Sequence, residues 1–316
     1  MIGCGGMPAA NVPVSGLPLV RCVSPTAIRR NLIHSALDSD LHSVLNTVLP
    51  MIFRLIASLC ASACLAAEIP SAGLMVDLNA SKGTTVDAEG RVTTWANQVG
   101  PEATRAFVGQ PKGRAEASSG LPTPVKGSPA SLSFRQQELV CHDEDAFDGL
   151  IRGDGCTWVT VLKVYPQRVG LKDVNSFFGN LRNGQKYEGL WGCLDDDNTV
   201  WWGARNGLTF GRFDVNNPKL VGPKLVEGRF HVLAGRLGAG KGEVLAEFFV
   251  NDLKACATAR FPVNPLADAS KLAVGQERDA IQHPGKESFD GEIARFLLWN
   301  RPLSDEELKA VFEGVR

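Results

Sequence analysis

FDGEIARFLLWNRPLSDEEL, residues Phe289–Leu308 near the end of a 316-residue chain, decides the reading of the fold. Ile293–Trp299 is an apolar run of the length a buried strand takes, and Asn300-Arg301-Pro302 ends it. Ser304 then stands in an N-cap position. Glu307, three residues on, can return a hydrogen bond to the Ser304 amide, which makes a capping box. Leu303 can pack across the cap onto Leu308, and Leu308, Val311 and Phe312 keep helical apolar spacing. This predicts a final strand that feeds side chains into a sheet, then a short helix that covers an end or edge of it.

The segments upstream are strand-like and turn-rich. RFHVLAGRL (Arg229–Leu237) leads through glycines into EVLAEFFVND (Glu243–Asp252), the pattern of a hairpin. TWVTVLKV (Thr157–Val164) is rich in β-branched residues, with apolar side chains on both faces, so one face is expected inward and the other under a loop. SFFGNL, LWGCL, NTVWWGA and LTFGRF are short and aromatic, separated by Asn, Asp and Gly. Residues 109–130 are loaded with Pro, Gly and Ser and read as a long surface loop holding only short strands. Strands at roughly ten-residue spacing, with helix almost absent, predict an all-β sandwich or barrel rather than a doubly wound α/β domain.

Three of these stretches together resemble the laminin-G-like, concanavalin-A-like lectin/glucanase superfamily in its secreted bacterial form. MVDLNAS followed by GRVTTWANQVG, within Gly73–Gly100, is similar to the family's opening, with its W-x-[ND]-Q segment. RFHVLAG and FFVNDLKA, within Arg229–Ala255, resemble the central hairpin, with Phe230 and Asp252 where the family usually has Trp and Gly. Phe289–Leu308 resembles the closing stretch. The resemblance spans about Gly73 to Arg316 and implies a jelly-roll sandwich of two antiparallel sheets. It leaves function open, because the superfamily includes sugar binders, protein binders and hydrolases.

The formal net charge of -1 gives no support for a nucleic-acid partner. Met51-Ile-Phe-Arg54 followed by LIASLCASACLA (Leu55–Ala66) has the pattern of a secretory signal peptide, too short to serve as a membrane anchor. Residues 1–50 are then a misassigned or disordered extension, 51–66 the signal peptide, and 67–316 the folded domain of a secreted or cell-envelope protein. The chain is not expected to be an integral membrane protein. Beyond residue 66 the cysteines are Cys141, Cys156, Cys193 and Cys256. In an exported chain they permit two disulfides, with three possible pairings; free buried thiols are the alternative.

The family's glucanases place catalytic carboxylates on one strand in an E-x-D-x-x-E pattern, and this sequence does not contain it. HDEDAFD (His142–Asp148) reads as a solvated loop, and Glu247 stands without an obvious partner. His142, His231 and His283 form no metal-binding or triad spacing; His231 lies in a strand, where packing or a backbone contact is expected. LDDDNTVWW (Leu194–Trp202) offers Asp195 and Asp197, with Asn198, as oxygen donors to Ca2+, although the same residues suit an ordinary turn. Trp201 and Trp202 must point to opposite sheet faces, so at least one leaves the main core unless a loop covers it. Trp191, Trp201, Trp202, Arg205 and Asn206 are therefore the expected ligand face, with tryptophan stacking on a sugar or anchoring a protein. These readings predict a non-catalytic module that binds an extracellular glycan or an envelope protein. The alternatives are a divergent glucan hydrolase and a structural envelope protein without a small ligand.

Overall fold

The computed structural model describes residues 68–109, 120–167, 175–183, 186–210, 213–277 and 288–315. The expectations about residues 1–50, the signal-like segment 51–66 and His283 lie outside the described residues. The chain first forms β1 (Leu74–Asn79), β2 (Thr84–Val86), β3 (Val92–Ala96), β4 (Ala106–Gly109), β5 (Thr123–Val125), β6 (Ser131–Arg135) and β7 (Leu139–Val140). A four-residue helix, α1 (Gly149–Arg152), precedes β8 (Cys156–Val164), β9 (Asn175–Gly179), β10 (Arg182–Asn183), β11 (Tyr187–Leu194) and β12 (Thr199–Asn206). There follow β13 (Lys219–Lys224), β14 (Phe230–Leu237), β15 (Glu243–Val250), β16 (Ala257–Pro262), β17 (Ala273–Val274), β18 (Asp290–Trp299) and α2 (Asp305–Val315).

The strands make two sheets. One runs β16-β15-β14-β8-β18-β6-β5, with β1 also paired to β18; the other runs β13-β12-β11-β9-β17-β7-β4-β3-β2, with β10 paired to β11. Every pairing between these strands is antiparallel. This is the all-β, two-sheet jelly-roll-like sandwich the sequence predicts, with a short C-terminal helix.

The closing strand is central because three strands use it. β8 pairs along its length, β6 takes Asp290–Ile293, and β1 takes Arg295–Trp299, with a bulge at the changeover. Ile293, Phe296 and Leu298 enter the core between the sheets, where Trp158, Phe177, Phe178, Trp202 and Phe248 also lie. Ala294, Leu297 and Trp299 face the other way, into a second apolar layer with Val159, Val161, Leu308, Val311 and Phe312. The final helix therefore lies over the outer face of the first sheet. It does not cover an end or edge, and it, rather than a loop, covers the outer side of β8. The reason is area: β8, β14 and β18 each carry apolar side chains on both faces, and the three-residue apolar stripe of α2 removes the outer set from water.

The cap forms as read. Glu307 N–H donates to Ser304 Oγ at 3.2 Å, and Ser304 N–H donates to Glu307 Oε2 at 2.9 Å. Leu303 and Leu308 are buried together. The W-x-[ND]-Q segment also has a structural use: buried Asn97 accepts from the Asp77 amide and donates to the Met75 and Thr104 carbonyls, tying β1 to the end of β3. Glu247 has a partner after all, since Arg236 stands opposite it across the β14–β15 hairpin and donates from Nε at 2.6 Å.

The disulfide expectation is corrected: Cys141, Cys156, Cys193 and Cys256 are all free thiols. Cys156 begins β8 in the first sheet, and Cys193 lies on β11 in the second. Cys256 is exposed beside the β15–β16 turn, whereas the other three are buried. Burial pushes the Cys156 thiol up to about 12, which keeps it protonated and unreactive. Among the described residues no helix is long and apolar enough to cross a membrane.

Candidate functional site

Strands β11 and β12 carry the candidate face, and strict alternation divides it. Trp202 turns inward and meets Trp158 edge-on at 5.9 Å, while Asn206 donates to the Pro262 carbonyl. Trp191, Trp201 and Arg205 turn outward together. Of the five residues expected at a ligand face, the structure thus brings three to the outer surface of the second sheet and sends two into the interior.

Neither outward tryptophan is open to solvent. Trp191 and Trp201 meet at right angles at 5.2 Å, and Phe213, from the β12–β13 connection, lies over both. Lys219 Nζ sits 4.3 Å from the Trp201 ring centre. The result is a small apolar layer, outside the main core, covered by the loop that follows β12. Gly203 makes room for it: a side chain there would come within 2.8 Å of the Trp191 ring. The expectation of an exposed tryptophan is corrected, because Trp191, Trp201 and Trp202 are all buried.

What reaches solvent is the next aromatic pair. The Arg205 guanidinium carbon lies 4.2 Å from the Trp191 ring centre and 4.2 Å from that of Tyr187. Tyr187 in turn stacks on Phe210 at 5.0 Å with the planes 21° apart. Phe210 is 61% exposed. A ladder of Trp191, Arg205, Tyr187 and Phe210 therefore runs from the sheet to the surface, held by cation–π and stacking contacts. The sequence reading missed Tyr187 and Phe210 because the two residues lie on different strands and loops. The signal available was LTFGRF, an aromatic turn segment with Phe210 between polar and glycine neighbours.

The aspartate-rich turn has a structural role beside this ladder. Asp195 Oδ1 accepts from Trp201 Nε1 at 3.0 Å and from Lys219 Nζ at 3.5 Å. Asp197 Oδ1 accepts from the Thr199 amide at 2.9 Å, and bonds from Thr199 hold its carboxyl below the ordinary value. Asn198 takes a positive φ of 68° and donates from Nδ2 to Glu227 at 3.1 Å. Three carboxylates do converge, but elsewhere: oxygens of Asp145, Asp148 and Asp268 lie within 4.8 Å of one another. HDEDAFD is thus a loop anchored by buried Phe147 and Asp148, not a wholly solvated one.

Two further titratable side chains within the sandwich are engaged, Glu292 and His231. Glu292 is buried; burial raises its pKa, but bonds from Lys163, Ser131 and Tyr165 outweigh this and leave it lowered and ionised. His231 Nε2–H donates to the Val226 carbonyl at 2.9 Å, and Nδ1 accepts from Asn251 at 3.0 Å, the packing role its strand position predicts.

No family model matches the chain, and no curated protein does. Among solved structures, the chain is similar to the Trypanosoma rangeli sialidase in complex with sialic acid, at 14% identity over 77% of this chain and 33% of that one, with a TM-score of 0.51. The chain thus spans about a third of the length of that sialidase, and the likeness is one of fold. It also matches the Ruminococcus gnavus IT-sialidase CBM40 bound to alpha2,3 sialyllactose, at 21% identity over 50% of this chain and 82% of that one, with a TM-score of 0.38. A heptameric SAP-like pentraxin from Limulus polyphemus matches at 16% identity over 51% and 70%, with a TM-score of 0.34.

Proposed function

We propose that this chain is a non-catalytic binding module that recognises carbohydrate at the cell surface or beyond it. The observation that carries the reading is the exposed Phe210 ring, stacked on Tyr187 and backed by the Arg205 guanidinium. A rigid aromatic face suits the apolar face of a sugar ring, and polar groups at its margin suit the hydroxyls. The buried tryptophans stiffen this platform from below, so little conformational freedom is lost when a ligand docks. The signal-like segment at 51–66 supports export to where such ligands are met.

The test is a glycan array probed with the full chain, followed by titration of the best ligand and an assay for released reducing ends. Saturable binding without release, weakened by Phe210→Ala, supports the module. Release of reducing ends would instead establish a hydrolase, and a stable complex with an envelope protein, with no glycan bound, would establish the protein-binding alternative.

A further inference from the structure

Strand β18 changes partner along its length, and a cleft opens at the changeover on the outer face of the first sheet. Ile293 stands opposite Leu162 of β8 and Arg295 opposite Val161, so Ala294 is the extra residue of a β-bulge. A bulge breaks strict alternation and re-aims the side chains beside it. Ala294 and Arg295 both reach the outer face here. Ala294 packs in the apolar layer beneath α2, and Arg295 grips Asp77 of β1 through Nε at 3.1 Å and Nη2 at 2.9 Å. The irregular backbone is satisfied locally: the Ala294 carbonyl accepts from the Ala80 amide, and the Arg295 carbonyl from Thr160 Oγ1.

The cleft has a volume of about 320 Å³. Its floor is Val161 and Ala294, two small side chains that are 4% and 5% exposed. Asn79, opposite Arg295 in the β1–β18 register, stands on one side with Ser128; Gly314 and Val315, in the last turn of α2, stand on the other. Asn79 Oδ1 accepts from the Ser81 amide at 3.0 Å and from the Ser81 hydroxyl at 2.7 Å, which leaves Nδ2 to donate. Arg295 likewise spends Nε and Nη2 on Asp77 and keeps Nη1. The last carbonyls of a helix have no intrahelical donor, and α2 carries no basic side chain in its last turn. Donors therefore stand on one side of an apolar floor and acceptors on the other.

We propose that this cleft is a pocket for one neutral pyranose ring, a second carbohydrate site on the face of the sandwich opposite Phe210. An apolar floor with a few placed polar groups, in a cleft of this size, suits a single small ligand. A pyranose lays its C–H face on Val161 and Ala294, and its ring hydroxyls meet Asn79 Nδ2 and Arg295 Nη1 on one side and the helix carbonyls on the other. The charges select against an anion. Asp77 neutralises Arg295, Lys163 pairs with Glu292 beyond the floor, and the C-terminal end of α2 is the negative pole of the helix. A carboxylate or phosphate would give up its water here without gaining a free positive charge among the lining groups. The pocket stands without the Phe210 platform. Only its consequence, that one chain engages two sugars from opposite faces and so gains avidity on a branched or dense glycan, rests on that reading as well.

Calorimetric titration of the full chain carrying Phe210→Ala tests it, with the methyl glycosides of glucose, galactose and mannose as separate probes. The substitution removes the platform, so any heat belongs to another site. One site per chain is expected for at least one probe, with the corresponding uronic acid glycoside about fivefold weaker, the order of a repulsion from the helix end. Ala294→Leu fills the floor and should abolish binding. Asn79→Asp keeps the acceptor for Ser81 but loses the donor, and should weaken binding about tenfold. Unfolding midpoints measured alongside show that each variant is folded. Silence from all three probes overturns the pocket. Full affinity in Asn79→Asp and in folded Ala294→Leu, or a uronic acid bound as tightly as its neutral parent, overturns it as well. Failure of the platform reads differently: glycan-array binding unchanged by Phe210→Ala, with a probe still bound in a manner sensitive to Ala294→Leu, rejects Phe210 and supports the pocket.

Discussion

Arg301 grips Glu307 with two parallel hydrogen bonds, Nη1 to Oε2 at 2.7 Å and Nη2 to Oε1 at 2.6 Å. The same carboxylate accepts from the Ser304 amide, so one side chain joins the end of β18 to the first turn of α2. The Arg301 bonds, chiefly, and the Ser304 amide bring the Glu307 carboxyl down to about 2. Its contribution to stability is therefore present above the unfolded carboxylate range, near 4.3, and is lost as pH falls toward 2. Glu307→Gln should cost about 1 kcal/mol at pH 7, in the range of a lost cap, because the group is partly exposed and solvent screens the pair. Urea unfolding of both proteins at pH 7 and pH 3 checks this, and the gap between them should narrow at pH 3.

Gly235 on β14 lies under the Trp158 indole, and a side chain there would come within 2.2 Å of Trp158 Nε1. The ring belongs to the main core and touches Phe177, Phe178, Trp202 and Phe248, so it has nowhere to retreat. Gly235→Ala should destabilise by about 1–3 kcal/mol, the usual cost of overpacking. A denaturation midpoint equal to that of the unsubstituted protein would contradict this account of the core.

His231, in β14, is held neutral chiefly by burial. Burial is the main cause of its lowered pKa, with Arg229 adding to it and the Val226 carbonyl opposing. Protonation at Nδ1 would set that atom against the Asn251 amide, which donates to it. The unfolded chain therefore takes up a proton that the folded chain resists, and stability falls as pH drops below about 6.5. His231→Gln should flatten the dependence of unfolding free energy on pH between 7 and 5, whatever its effect on stability at pH 7.

Phe210 and Trp201 should separate binding from folding. Phe210→Ala removes an exposed ring and should leave the unfolding midpoint nearly unchanged while weakening glycan binding about tenfold, the order of one lost stacking contact. Trp201→Ala empties a buried site, takes a bond from Asp195 and should cost about 3–5 kcal/mol of stability. Full glycan affinity in Phe210→Ala would reject the platform.

The sequence alone determined whatever depends on local spacing. The capping box at Ser304 and Glu307, the β14–β15 hairpin and the opposed directions of Trp201 and Trp202 follow from hydrogen-bond geometry and a two-residue repeat. Such patterns are complete within a few neighbouring residues. Tertiary structure decided what fills the second face of each element. Only the assembled sheets show that α2 covers the outside of β8 and β18, that Phe213 closes over Trp191 and Trp201, and that the Phe210 ring is left in solvent. Only they bring Asp268 to Asp145 and Asp148, or leave four cysteines as free thiols. Burial and ligand geometry are properties of side chains that meet from distant parts of the chain, and a local repeat cannot state which strand or loop will arrive opposite.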